Sequence, residues 1–176
     1  MAGREVFIVA GCAVAAALSA CAIPDAPAEQ PALARVPRNP GPAFHTIDVP
    51  EGLGLVPGAT VIGFVEIGDD ELRFARGLPM VEVSRRPLPD GRTRHAFSLG
   101  AAQMATLRDR PEMAGWTHPG LSVGFKLCLS GPVPPAGPLP VTSELRVGPL
   151  RMPSETDVRE GFGGGYLGTL KPCGAD

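Results

Sequence analysis

The chain has 176 residues, with 16 basic and 18 acidic side chains and a formal net charge of -2, and no run of lysine or arginine breaks that balance. Nucleic-acid binding, which needs a basic stripe to release counterions from phosphates, has no footprint here. Glycine and proline contribute 23 and 21 residues, a density at which irregular segments are expected beside a folded part.

Arg4 is followed by an uncharged stretch, Val6 to Leu18, then by Ser19, Ala20 and Cys21. This is the n-region, h-region and small-residue layout of a secretory signal, although Glu5 cancels the charge of Arg4. The apolar stretch is too short to cross a hydrocarbon core of roughly 30 Å, which takes about 20 helical residues. Leu18-Ser19-Ala20-Cys21 resembles the bacterial lipobox, in which the cysteine becomes the first mature residue and carries the acyl chains. Val9-Ala10-Gly11-Cys12 fits the same pattern, but cleavage there would halve the h-region, so Cys21 is the expected lipidation site. The alternatives are an ordinary signal cut near Ala20, or a short buried helix. The lipobox resemblance implies a bacterial envelope lipoprotein. Ala22, standing where aspartate would signal inner-membrane retention, implies an outer-membrane anchor with the domain in the periplasm. Several acyl chains, each methylene contributing about 0.8 kcal/mol, would make that anchor effectively permanent.

Residues 1–20 are thus read as signal peptide, 21–43 as lipidated cysteine and tether, and 44–176 as a single β-rich domain. Pro24, Pro27, Pro31, Pro37, Pro40 and Pro42 crowd the tether, where fixed φ angles and missing donors prevent regular structure. Beyond it, Thr60 to Gly68 is rich in β-branched and aromatic residues, and Asp69-Asp70 can turn the chain into a partner strand from Glu71 to Phe74. Met80 to Arg85 and Arg94 to Leu99 flank Pro89-Asp90-Gly91, a turn whose proline fixes φ and whose glycine accepts positive φ. Gly100 to Arg108 reads as the one helix: Ser98 is the expected cap, Met104 and Leu107 face inward, and Pro111 stops it. In Ser122 to Ser130, Val123, Phe125, Leu127 and Leu129 alternate with smaller or polar residues, as one strand with a core face would require. Val141 to Val147 and Tyr166 to Leu170 are the remaining candidates. Short strands with one brief helix predict a mainly β fold, an antiparallel sandwich or barrel-like domain.

Val61-x-Gly63-x-Val65, Gly77 to Val83, and Asp90-Gly91-Arg92 leading to His95-Ala96-Phe97-Ser98-Leu99 resemble the strand order of carboxypeptidase-regulatory-like, transthyretin-type β-sandwich modules. The resemblance covers residues 60 to 130, with the segment from Gly100 to Arg110 as an insertion. The opening strands are also similar to those of small pilotin-like envelope lipoproteins. Both resemblances imply a β-sandwich that binds or supports other proteins and has no catalytic residues of its own.

With Cys12 removed and Cys21 acylated, Cys128 and Cys173 remain as a pair in an oxidising compartment, and a disulfide between them is expected. The alternation places Cys128 on the polar face of its strand, so the C-terminal tail would cross outside the sheet and be stapled there. Two free thiols are the alternative. Two catalytic motifs fail on context. Gly120-Leu121-Ser122-Val123-Gly124 matches the nucleophile elbow, yet a strand follows it and His45, His95 and His118 all lie upstream. Gly163-Gly164-Gly165-Tyr166-Leu167-Gly168 leaves no room for a dinucleotide-binding helix. His95, Met104, Met113 and His118 share one stretch without a ligand spacing. Trp116 is read as a core or interface anchor. No catalytic residue and no cofactor is expected. The leading expectation is a lipid-anchored, non-catalytic protein that binds or supports another envelope protein; the alternative is a copper-, zinc- or small-ligand-binding periplasmic module using His95 and His118.

Overall fold

Ala43, His45, Ile47 and Val49 alternate with Phe44, Thr46 and Asp48, and period two makes this segment a strand, β1 (Ala43–Val49), with the first set fully buried. The computed structural model describes residues 41–67, 72–75, 77–116, 119–134, 136–159 and 166–175. The signal, Cys21, the tether up to residue 40, the Asp69-Asp70 turn, His118 and Gly163 to Gly165 lie outside these. The strands after β1 are β2 (Leu53–Leu55), β3 (Val61–Ile67), β4 (Leu72–Phe74), β5 (Leu78–Pro79), β6 (Val81–Pro87) and β7 (Thr93–Leu99). Helix α1 (Ala101–Arg108) then precedes β8 (Gly120–Gly124), β9 (Leu127–Leu129), β10 (Pro140–Val147) and β11 (Leu150–Asp157).

The main sheet is antiparallel and five-stranded, in the order β11-β10-β1-β7-β6. A second antiparallel sheet has β3 at its centre, flanked by β8 on one side and by β4 and β5 along the other. A short β2–β9 pair completes the second layer. One apolar core joins the layers, drawing Ile47, Leu99 and Leu145 from the main sheet and Ile62, Phe64, Leu121 and Val123 from the other. The expected mainly β, antiparallel architecture with one short helix is therefore the fold. Truncating a side chain as large and as fully buried as Phe64 to alanine should cost about 3–5 kcal/mol.

The β6–β7 hairpin forms as expected from its turn. Gly91 has φ 81°, Gly91 N–H donates to the Leu88 carbonyl, and Leu88 N–H donates to the Arg92 carbonyl. Met104 and Leu107 of α1 are fully buried. The cap differs from the Ser98 expectation: Gly100 is the N-cap, and its N–H donates to the side-chain oxygen of Gln103, 3.0 Å away. Two strand expectations need correction. Ser122 to Ser130 is not one strand: it breaks at Phe125 and Lys126, where Val56 N–H takes the Lys126 carbonyl, so β8 pairs with β3 and β9 with β2. Tyr166–Thr169 is a 3₁₀ turn, with Leu167 and Leu170 packing against the core at single-turn spacing.

Candidate functional site

The main sheet buries one face and presents the other as a grid of side chains fixed by strand register. Arg151, Arg146, Phe44, Ser98 and Val81 form a first row across it; Pro153, Glu144, Thr46, Ala96 and Ser84 a second; Glu155, Thr142, Asp48, Arg94 and Arg86 a third. The middle of this grid, from Arg146, Glu144 and Thr142 across β1 to Ala96, Arg94, Ser84 and Arg86, lines an open depression of about 840 Å³, with Phe44 and Asp48 at opposite ends of its central strand. Phe44 is 50% exposed, and Val81 and Val83 on the neighbouring edge are 61% and 58% exposed. An exposed phenylalanine lining a concavity, with further exposed apolar side chains on the same sheet, marks a surface suited to docking.

The charges on this face are organised. Arg94 donates through Nε and Nη2 to both oxygens of Asp48, each at 2.6 Å. The fork matches the carboxylate plane, and the bidentate hydrogen bond raises the Arg94 pKa further above its usual value. Arg92 donates to Asp90 at 2.7 Å and to the Thr142 hydroxyl at 3.2 Å. Arg146 donates to Glu144 at 2.6 Å, and Arg151 lies 3.8 Å from the same carboxylate. Arg146 holds the Glu144 carboxyl below its ordinary range. Arg86 has neither a hydrogen bond nor an ion pair among the described residues, which leaves one uncompensated cation at the rim.

On the inner face beside β6, the second layer no longer covers the sheet. There His95 Nδ1–H donates to Glu82 Oε1 at 2.8 Å, and Arg85 donates to both Glu82 oxygens at 3.1 and 3.2 Å. Partial burial works against the Glu82 carboxylate, and these hydrogen bonds more than offset it, so its pKa falls below the usual glutamate value. His95 is thus committed to a carboxylate partner, and the described residues bring no three His, Cys, Asp or Glu side chains into metal-binding proximity. His118, its proposed companion, lies outside the described residues.

Cys128 and Cys173 are bonded, with Cα atoms 4.9 Å apart. Cys128 lies opposite Gly54 in the β2–β9 register, and a Cβ at Gly54 would sit 2.9 Å from Cys173 Sγ, so glycine makes room for the bridge. The tail runs beside β9 in a parallel bridge of Leu129 to Pro172, with Leu129 N–H donating to the Lys171 carbonyl and Cys173 N–H to the Leu129 carbonyl. Cys128 is 2% exposed, with the tail stapled to it running alongside β9. The G-x-S-x-G segment is the whole of β8, paired along β3, and lacks the strand-turn-helix geometry of an elbow.

Sequence reading did not single out Phe44, Asp48 or Arg94. The alternation across Ala43 to Val49 could have revealed the strand, but a histidine at an inward position hides the pattern. Against protein-family models, curated proteins and solved structures, the chain finds no match.

Proposed function

We propose that this chain is a non-catalytic, lipid-anchored protein of the bacterial envelope whose outer sheet face docks another envelope protein. The depression centred on Phe44, Thr46 and Asp48 carries this reading: an exposed aromatic set among arginine–carboxylate pairs is the composition of a protein-binding patch. The lipobox at Cys21 and the proline-rich segment after it support the anchored address. Phe44 opens β1, the first strand after that segment in the sequence.

The test is photo-crosslinking in cells from a reactive residue at Thr46, with Ala102 on the exposed side of α1 as control. A discrete adduct from Thr46, absent from Ala102 and lost with Phe44→Ser, supports the reading. Equal labelling from both positions removes it. The address is tested separately by intact mass: acylation on Cys21 is expected, and an unmodified mature N-terminus would contradict it.

A further inference from the structure

Strand β6 is the open edge of the main sheet: β7 pairs with it on one side, and no strand flanks the other among the described residues. All seven of its residues, Val81–Pro87, are exposed. An edge of this length is a template for pairing with another strand, and proteins ordinarily blunt such edges. The opposite edge, β11, is interrupted at its middle by Pro153, which has no N–H to donate. In β6 the proline is terminal, so Val81 to Arg86 all carry a main-chain N–H. Among the described residues three bulky apolar side chains are exposed, and two of them, Val81 and Val83, stand on this strand.

We infer that β6 pairs antiparallel with β6 of a second copy of this chain, so that Glu82 of each copy faces Arg85 of the other across a two-fold axis and the two main sheets become one continuous sheet. The occupant follows from the order of charge along the strand: Glu82 lies in its first half, Arg85 and Arg86 in its second. An antiparallel copy sets acid against base on both sides of the axis, whereas a parallel one would oppose glutamate to glutamate and arginine to arginine. The faces agree as well. Glu82 and Arg85 lie opposite Phe97 and His95 on the inward face, and Val81 and Arg86 opposite Ser98 and Arg94 on the outward one. Pairing Glu82 with Arg85 also pairs Val81 with Arg86, so all four meet a residue on their own face, and the arginine stem covers the valine. Sliding the copies by one residue sets inward residues against outward ones. The register shift at Val83 falls at the axis, between these flanking pairs, as a local irregularity that any added strand would meet. Glu82 has room for the second arginine: Oε1 accepts from Arg85 and His95 but Oε2 from Arg85 alone, which leaves one of a carboxylate's about four acceptor sites open. In residues 22–40 no acidic residue stands two or three positions before a basic one, so the chain's own preceding segment cannot repeat this pairing. Ser84 and Arg86 line the depression on the outer face, so the depressions of the two copies would adjoin across the junction.

The test uses cells expressing the full chain with Ser84→Cys, next to the axis, or with Glu155→Cys on the exposed side of β11 as control, bridged by a short bis-maleimide. Ser84→Cys should give a band at twice the mass of the chain, and Glu155→Cys none. Arg85→Glu and Glu82→Arg, each added singly to Ser84→Cys, oppose like charges and should lower that yield by about fivefold or more. Co-expressing the two should restore it, because each copy then meets opposite charge on the other. Nothing within one copy could produce that recovery, and the recovery itself shows that both variants fold. Bridging no stronger than in the control, a yield indifferent to both reversals, no recovery on co-expression, or an adduct with a different protein in place of the dimer would each overturn the inference. The Thr46 crosslink reads the outer face instead of this edge, so its outcome stands apart from these.

Discussion

His45 is the residue whose environment is hardest to reconcile with its chemistry. It is fully buried at the centre of β1, next to Leu145 and Phe97 in register and 6.0 Å from the Phe125 ring. Neither ring nitrogen has a hydrogen-bond partner among the described residues. Burial lowers its pKa from 6.5 to about 4. A lowered folded-state pKa means that the unfolded chain binds the proton more readily, so stability is whole above about pH 6.5 and falls as pH drops towards 4. The loss should reach about 3 kcal/mol. Chemical denaturation across that window should show the slope, and His45→Leu should flatten it while adding about 1–3 kcal/mol at neutral pH by removing an unpaired polar group. The Glu82 carboxyl, also held below its ordinary range, titrates at the acid end and would survive in the variant as a smaller residual slope.

Asp48 poses the opposite case, a nearly buried carboxylate that is fully partnered. Its side chain is 8% exposed against 37% for Arg94. Arg94→Ala would strand the anion and should cost about 2 kcal/mol or more, measured as a shift in the denaturation midpoint. Asp48→Ala leaves Arg94 free to reach water and should cost less. Equal costs would mean that the pair behaves as an exposed ion pair, worth well under that amount.

Among the elements, those with uninterrupted local signals were legible in sequence. The β6–β7 hairpin follows from its proline-aspartate-glycine turn, and α1 from Met104 and Leu107 at helical spacing before Pro111. Strand β1 was missed although it is the central strand of the sheet, since His45 occupies a core position that periodicity reserves for apolar residues. Strand β11 was hidden by Pro153, which an edge strand tolerates and a central one does not. Continuous alternation from Ser122 to Ser130 concealed a break between sheets, because a chain that passes from one sheet to the next keeps period two on either side of the bend. The cysteine pair was legible from the expected compartment and the count left after Cys12 and Cys21, whereas Gly54, which makes space for it, is apparent only once β2 and β9 are in register. Cys173→Ser should destabilise by up to about 4 kcal/mol for a sequence separation of 45, and it should release the C-terminal tail around Pro172 to proteolysis. Gly54→Val should produce part of that loss, seen as easier reduction of the bridge, because its side chain would collide with Cys173 Sγ.

For the whole molecule, the outer sheet face is a product of register. Phe44, Thr46 and Asp48 are brought beside Ser98, Ala96 and Arg94 from one neighbouring strand and beside Arg146, Glu144 and Thr142 from the other. No local pattern announces that grid, because its members lie far apart in sequence: Asp48 and Arg94 by 46 residues, Arg92 and Thr142 by 50. What sequence did convey is the expected address, in Cys21 and its tether, and the absence of a basic stripe for nucleic acid. The function we propose combines the two: a lipid anchor at Cys21 and a sheet face that docks a neighbouring envelope protein. The most direct test is photo-crosslinking in living cells from Thr46, with Ala102 as control. The docking account predicts a single discrete adduct from Thr46 that disappears with Phe44→Ser. Labelling from Thr46 no stronger than from Ala102, or unchanged by Phe44→Ser, would contradict it.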